Sequence, residues 1–209
     1  MNIYLLRHGE TDWNKEGRIQ GHTDILLNQN GRMQISHAAD ILTDLEVNID
    51  VIITSPLSRA RESAEIAAHR LAYHKENIVV EPMLIERSFG DAEGLTVAER
   101  EAKYPNYHYS DIHYHFVGME SFEDLMNRAH CILKKIVNTY KDKQNILVVS
   151  HGAILAAIIT AITDGKITYF EEKIQLDSAS LHLIKYQNGA VELAGYCTEN
   201  SGFKDIAFG

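Results

Sequence analysis

Two short apolar runs in this chain end in the same dipeptide. Ile3-Tyr4-Leu5-Leu6 runs into Arg7-His8-Gly9, and Ile146-Leu147-Val148-Val149-Ser150 runs into His151-Gly152. Histidine at such an end can act as a nucleophile or carry a proton. The arginine beside His8 offers a planar fork of donors suited to phosphate or carboxylate. Gly9 permits either positive φ or a close backbone approach. Arg59 and Glu86 are further candidates, one early in a helix-like stretch and the other in an irregular, glycine-bearing one. In an open α/β sheet, ligands bind in the crevice outside the carboxyl ends of the strands. If the strands ending at Leu6, Ile53 and Ser150 share a rim, then Arg7, His8, Arg59 and His151 converge on one pocket. A phosphoryl group, with its near-dianionic charge, needs several such donors in place before it reacts.

The elements that must position these groups follow from periodicity. Ile3–Leu6 and Val51–Ile53 are short continuous apolar runs, as expected of buried strands. Ile78–Val80 reads as a third strand near a sheet edge. Apolar spacing predicts helices over Gly31–Leu45, from Pro56 through Leu71, over Val97–Tyr104 and over Ser121–Tyr140. Ser55 is expected as the N-cap of the second of these, with Pro56 at its first position. Ser121 and Asp124 make a capping-box-like start for the last. The almost wholly apolar Ala153–Ile162 should be a deeply buried helix. Gln187-Asn188-Gly189 between two strand-like runs signals a hairpin. Strands alternating with helices imply a three-layer α/β/α fold whose central sheet is mostly parallel, with an antiparallel edge strand.

Composition narrows the function classes. The chain has 209 residues, 45% of them hydrophobic and 23% charged, with only three prolines and no linker-like stretch. We therefore expect a single domain over residues 1–209 with a small helical or loop cap insertion at about 95–120. A net charge of −9 argues against nucleic-acid binding. No apolar run approaches the roughly 20 residues of a spanning helix, and no signal-peptide core precedes His8. A cytoplasmic protein with no membrane association is expected. Cys131 and Cys197 show no metal-ligand spacing, and Cys131 is expected as a small core residue. His108, His113 and His115 lie among tyrosines, but no carboxylate or thiol completes a metal-ligand set, so no metal site is assigned.

Taken together, Arg7-His8-Gly9-x-Thr11-x-x-Asn14, Gln20-Gly21 with Asp24, Ser55-Pro56-x-x-Arg59-Ala60, Glu86 ahead of Gly90 and Glu93-Gly94, Gly118-x-Glu120-Ser121 and Ser150-His151-Gly152 resemble the histidine phosphatase superfamily, in its phosphoglycerate-mutase-like branch. The motifs match in order across nearly the whole chain. The resemblance implies a histidine acid phosphatase-type phosphoric monoester hydrolase acting on small phosphorylated metabolites. His8 would become phosphohistidine, and Arg7, Arg59 and His151 would hold the phosphoryl oxygens. Asn14, Gln20, Gly21 and Gly152 would lie close by. Glu86 would be the general acid and base, with Glu93 in the same loop as its competitor. No metal or other cofactor is implied. 2,3-Bisphosphoglycerate enters only under the alternative, a phosphoglycerate mutase. That alternative is weakened because the interval Leu95–Ser121 is short and its one arginine is Arg100. A non-catalytic regulatory module is a third option, and a monomer or homodimer is expected. Leu26, Ser63 and Met119 depart from the family pattern. None is expected to touch the phosphate clamp, while Leu26 and Met119 are expected at the pocket rim.

Overall fold

In the computed structural model, which describes residues 1–105, 117–163, 176–187, 189–198 and 204–205, the sheet has seven strands in the order β3-β2-β4-β1-β5-β6-β7. These strands are β1 (Asn2–Arg7), β2 (Val51–Thr54), β3 (Val79–Val80), β4 (Asn145–Ser150), β5 (Leu181–Gln187), β6 (Ala190–Cys197) and β7 (Lys204–Asp205). β3, β2, β4 and β1 run parallel, and the antiparallel side, β5 to β7, is three strands wide. The helices are α1 (Asp12–Lys15), α2 (Gln29–Asp44), α3 (Ser58–Arg70), α4 (Val97–Lys103), α5 (Phe122–Thr139) and α6 (Gly152–Ile162).

Strand alternation divides the core into the two expected layers. Ile3, Leu5, Val51, Ile53, Ile146 and Val148 face α5 and α6, while Tyr4, Leu6, Ile52, Leu147 and Val149 face α2 and α3. A period of two on a sheet covered on both sides makes each central strand continuously apolar. α6 is buried along nearly its whole length, so its sequence lacks a polar face.

Local chemistry shifts several boundaries. Asn28 caps α2 by accepting from the Gly31 amide at 2.8 Å, so the helix begins before Gly31. The expectation that Ser55 caps α3 is incorrect: the helix starts at Ser58, Leu57 stands at the cap without a side-chain bond, and Asp24 accepts from the Ser58 amide at 2.8 Å. Cys131 is exposed rather than core, because it falls between the buried positions Ala129 and Ile132 that carry the apolar face of α5. The segment 106–116, with His108, His113 and His115, lies outside the described residues, as does Asn188. The proposed cap insertion is therefore described only at its two ends.

Gly9 and Gly31 touch backbone to backbone. A Cβ on Gly31 would stand 2.2 Å from the Glu10 carbonyl oxygen, and one on Gly9 would stand 2.3 Å from that of Gly31. Of the two roles open to Gly9, close approach is the one the fold uses. Gly31→Ala should cost about 1–3 kcal/mol or more of stability, because only backbone can give way. A thermal or urea midpoint close to that of the parent would refute the contact.

β5 carries an apolar-layer histidine. His182 lies opposite Leu5, is stacked on Tyr196 at 6.0 Å, and its Nδ1 has no partner among the described residues. Burial lowers its pKa from 6.5 to about 4. The unfolded chain thus takes up this proton first as pH falls, so the contribution is complete above pH 6.5 and lost on descent towards pH 4. We expect His182→Leu to flatten that acid limb by up to about 3 kcal/mol. Urea titrations at pH 7 and pH 4.5 measure it, and parallel losses in parent and variant would refute it.

Candidate active site

Strand order builds the site directly. β4 lies between β1 and β2, with Arg7 beside Ser150 and Thr54 beside Val149. The residues just past the three strand ends, His8, His151 and Ser55, are therefore neighbours. The rings of His8 and His151 meet edge-on with centroids 5.1 Å apart, and His151 Nε2 lies 2.6 Å from the Ser55 hydroxyl. Both imidazoles are buried.

The hydrogen-bond partners set the tautomers. His8 Nδ1 lies 2.7 Å from the Gly9 carbonyl, which can only accept, so Nδ1 carries the proton and Nε2 keeps its lone pair. Burial, then Arg59, then Arg7 push the His8 pKa well down, leaving a neutral ring at neutral pH. His151 is depressed by burial, then Arg59, His8 and Arg7. Ser55 Oγ accepts from the Leu57 amide at 3.3 Å and can donate its proton to His151 Nε2. That assignment puts the single ring proton of neutral His151 on Nδ1, which has no partner among the described residues.

Arg59, fully buried on the first turn of α3, gives one terminal nitrogen to the Thr23 carbonyl at 2.9 Å and the other to Gly21 at 2.7 Å. Its Nε has no partner among the described residues, and neither has Gln20 Oε1. Buried polar atoms without partners are costly. Arg59 Nε, His151 Nδ1 and the Gln20 amide are therefore groups that a bound anion could satisfy, given that the oxygen and nitrogen of the amide can exchange places. Arg7 donates to the Leu176 carbonyl and lies along Gly152, whose Cβ, if present, would stand 3.6 Å from Arg7 Nε.

The loop carrying Gln20 and Gly21 is fastened from two sides. Asp24 binds the Ser58 amide and hydroxyl, supplying negative charge where Arg59 enters the helix. Glu93 accepts from the His22 amide at 2.9 Å, from the Phe89 amide at 3.1 Å, and from the Thr23 amide and hydroxyl at 2.9 and 2.6 Å. Burial raises the Glu93 pKa, but the Thr23 hydroxyl and these amides outweigh it and hold the carboxyl below its usual range. Glu93 is thus engaged in holding the loop. Glu86 instead reaches the start of α6, accepting from Arg87 N at 2.9 Å, Ala153 N at 3.1 Å and Ile154 N at 3.3 Å.

Other sequence expectations move. The Asn14 side-chain oxygen Oδ1 closes the capping box of α1, accepting from the Thr11 amide and hydroxyl at 3.1 and 3.0 Å, so this atom serves the loop behind His8. Ser63 does touch the clamp: it accepts from the Gly9 amide at 3.2 Å and donates to the Arg59 carbonyl at 2.7 Å. Met119 is packed on Ala92 in a small cluster with Phe89 and Leu95, rather than at a rim, whereas Leu26 is exposed. Ser55, His22, Glu120 and Arg128 acquire duties that the sequence reading did not assign. For Ser55 the signal was its place one residue beyond a strand, matching His8 and His151. Among the described residues no three His, Cys, Asp or Glu side chains are grouped for a metal ion, and no helix is long and apolar enough to cross a membrane.

Known proteins resemble this chain in sequence and in fold. The profile of the histidine phosphatase superfamily (branch 1) matches residues 3–198. An uncharacterized phosphatase of Bacillus subtilis, PhoE, is 39% identical over 163 residues, 78% of either chain. A protein of Escherichia fergusonii named "Probable phosphoglycerate mutase GpmB" is 30% identical over 206 residues, 97% of this chain and 93% of its own. Among solved structures, a mycobacterial glucosyl-3-phosphoglycerate phosphatase in complex with VO3 superposes with a TM-score of 0.80 at 26% identity, covering 92% of this chain and 96% of that one.

Proposed function

This chain belongs to the histidine phosphatase superfamily (branch 1), and on that premise we propose that it hydrolyses small phosphomonoesters through a phosphohistidine on His8. The observation that carries the reading is the His8 ring beside His151, with Nδ1 tied to the Gly9 carbonyl at 2.7 Å and no hydrogen bond at Nε2 among the described residues. A neutral imidazole nitrogen in this state is a competent nucleophile.

Nε2 of His8 attacks phosphorus while the bond from phosphorus to the leaving oxygen breaks. Arg7, Arg59 and His151 Nδ1–H receive the charge on the equatorial oxygens, with Gln20 and the Gly21 and Gly152 backbone at the margin. The fixed positive charges do work that kinases assign to divalent metal, and the reading requires no metal or other cofactor. Glu86 gives its proton to the departing oxygen. Its carboxylate then takes a proton from water, which attacks phosphorus, breaks the N–P bond and releases phosphate. The relatives named as phosphatases support this acceptor. A monomer or homodimer in the cytoplasm, partnered only by its phosphorylated metabolite, fits the reading.

The relative named as a probable mutase favours the second reading, in which the phosphoryl group returns to the substrate. Against it, Arg100 lies in α4 and pairs with the neighbouring Glu101 at 3.3 Å. Purified protein incubated with a panel of phosphomonoesters, with and without 2,3-bisphosphoglycerate, separates the two. Free phosphate without the bisphosphate supports hydrolysis. Isomerised product that depends on it supports the mutase, and neither product would end both readings.

The depressed His8 pKa makes a further prediction. The free-protein His8 ring should stay neutral below pH 6.5, with its titration displaced well to the acid side. Nitrogen-15 NMR of the imidazole reads it, and an ordinary titration near pH 6.5 would contradict the buried, doubly cationic setting.

A further inference from the structure

Glu86 sits where no regular element can place it. The segment from Met83 to Glu86 leaves a 3-10 turn and joins neither helix nor strand, so its carbonyls have no ladder to bind. All four are instead held by side chains. Arg128 donates through Nη1 to Met83 O at 2.8 Å and Ile85 O at 2.7 Å. The Ser150 hydroxyl holds Leu84 O at 2.6 Å, and the His22 ring reaches Glu86 O at 2.8 Å. The four carbonyls are thus all accounted for, but only through side chains brought from three remote elements.

Two of the four bonds come from one guanidinium, and that guanidinium is itself aimed. Glu120 binds it through two oxygens, Oε1 to Nε at 2.8 Å and Oε2 to Nη2 at 2.6 Å, with both side chains largely buried. This parallel pairing fixes the plane of the guanidinium, leaving Nη1 pointing at the two carbonyls. The Glu120 backbone adds a third tie, its carbonyl accepting from Arg87 Nε at 2.9 Å. The segment is therefore gripped on both sides of Glu86 by one pair.

We propose that the Glu120–Arg128 pair is a positioning device that sets where the Glu86 carboxyl stands relative to the start of α6 and the scissile oxygen. The proposal rests on the phosphatase reading for its catalytic consequence, though not for its geometry. Lysine at position 128 keeps the charge but cannot form the two-oxygen pairing and reach both carbonyls at once. Amide at position 120 keeps the shape but loses the charge-assisted grip.

The test compares Arg128→Lys and Glu120→Gln with the parent on two substrates, an alkyl phosphate such as glycerol phosphate and the activated ester para-nitrophenyl phosphate. An alkoxide needs a proton on departure, whereas nitrophenolate leaves without one. A misplaced Glu86 should lower kcat for the alkyl ester by roughly 10- to 100-fold, leave KM nearly unchanged, and spare the aryl ester. Hydrogen exchange supplies a readout free of turnover. The Arg87 amide, bound to Glu86 Oε1, should exchange faster in both variants while amides within α5 keep their parent rates. Equal losses on both esters, or unchanged exchange at Arg87, would overturn the proposal in favour of a purely structural pair. If the parent hydrolyses neither ester, the phosphatase reading fails, and exchange alone decides whether the pair positions the segment.

Discussion

Protein carrying His8→Ala should show no acid-labile phosphate label after incubation with a radiolabelled phosphomonoester, and turnover should fall on the order of 10⁴-fold or more. The ring is buried and, among the described residues, makes a single hydrogen bond, to the carbonyl of its own neighbour Gly9. Its removal therefore leaves no remote buried group without a partner, and the variant should fold. What disappears is Nε2, the only imidazole nitrogen of the pair with a lone pair free to attack. His151 cannot replace it, because Ser55 occupies its Nε2 at 2.6 Å. Quenched-flow labelling followed by acid and base treatment makes the measurement. Acid-labile label that survives in the variant would place the nucleophile elsewhere.

Glu86→Gln should lower kcat for alkyl phosphates by roughly 10²- to 10⁴-fold, the range associated with a positioned proton donor, and affect para-nitrophenyl phosphate far less. Glutamine keeps an oxygen for the Arg87 and Ala153 amides, so stability should change by no more than about 1 kcal/mol. The companion variant Glu93→Gln should behave in the opposite way. Glu93 accepts three hydrogen bonds from residues 22 and 23, holding their loop, and a fourth from the Phe89 amide. Its loss should weaken substrate binding and stability without distinguishing alkyl from aryl esters. An ester-dependent loss in the Glu93 variant, with none in the Glu86 variant, would reverse the assignment. The Arg128 and Glu120 variants then fall on the same axis as Glu86→Gln, at smaller amplitude.

Much of this architecture is legible in the chain. The parallel strands read as uninterrupted apolar runs because both sheet faces are covered, and α6 reads as apolar throughout because it is buried along nearly its whole length. Where local and tertiary demands diverged, the sequence misled. Ser55-Pro56 has the form of a helix start, yet Ser55 faces His151 and the helix is capped by Asp24 from a distant loop. Cys131 has a core-like character but an exposed position, since one residue along a helix turns a side chain by about 100°. Asn14 belongs to the expected anion site by motif, whereas its side-chain oxygen closes a capping box.

What the sequence determined by itself was the set of reactive groups and the order of the strands' apolar runs, because side-chain chemistry and periodicity are local properties. Which nitrogen of each imidazole is free, which of two glutamates is taken up in holding a loop, and what holds Glu86 in a stretch without regular structure were decided only in three dimensions. Those answers depend on partners such as Ser55, Thr23 and Arg128, which lie tens of residues away along the chain. Such partners become neighbours only when β4 inserts between β1 and β2 and brings three strand ends to one rim.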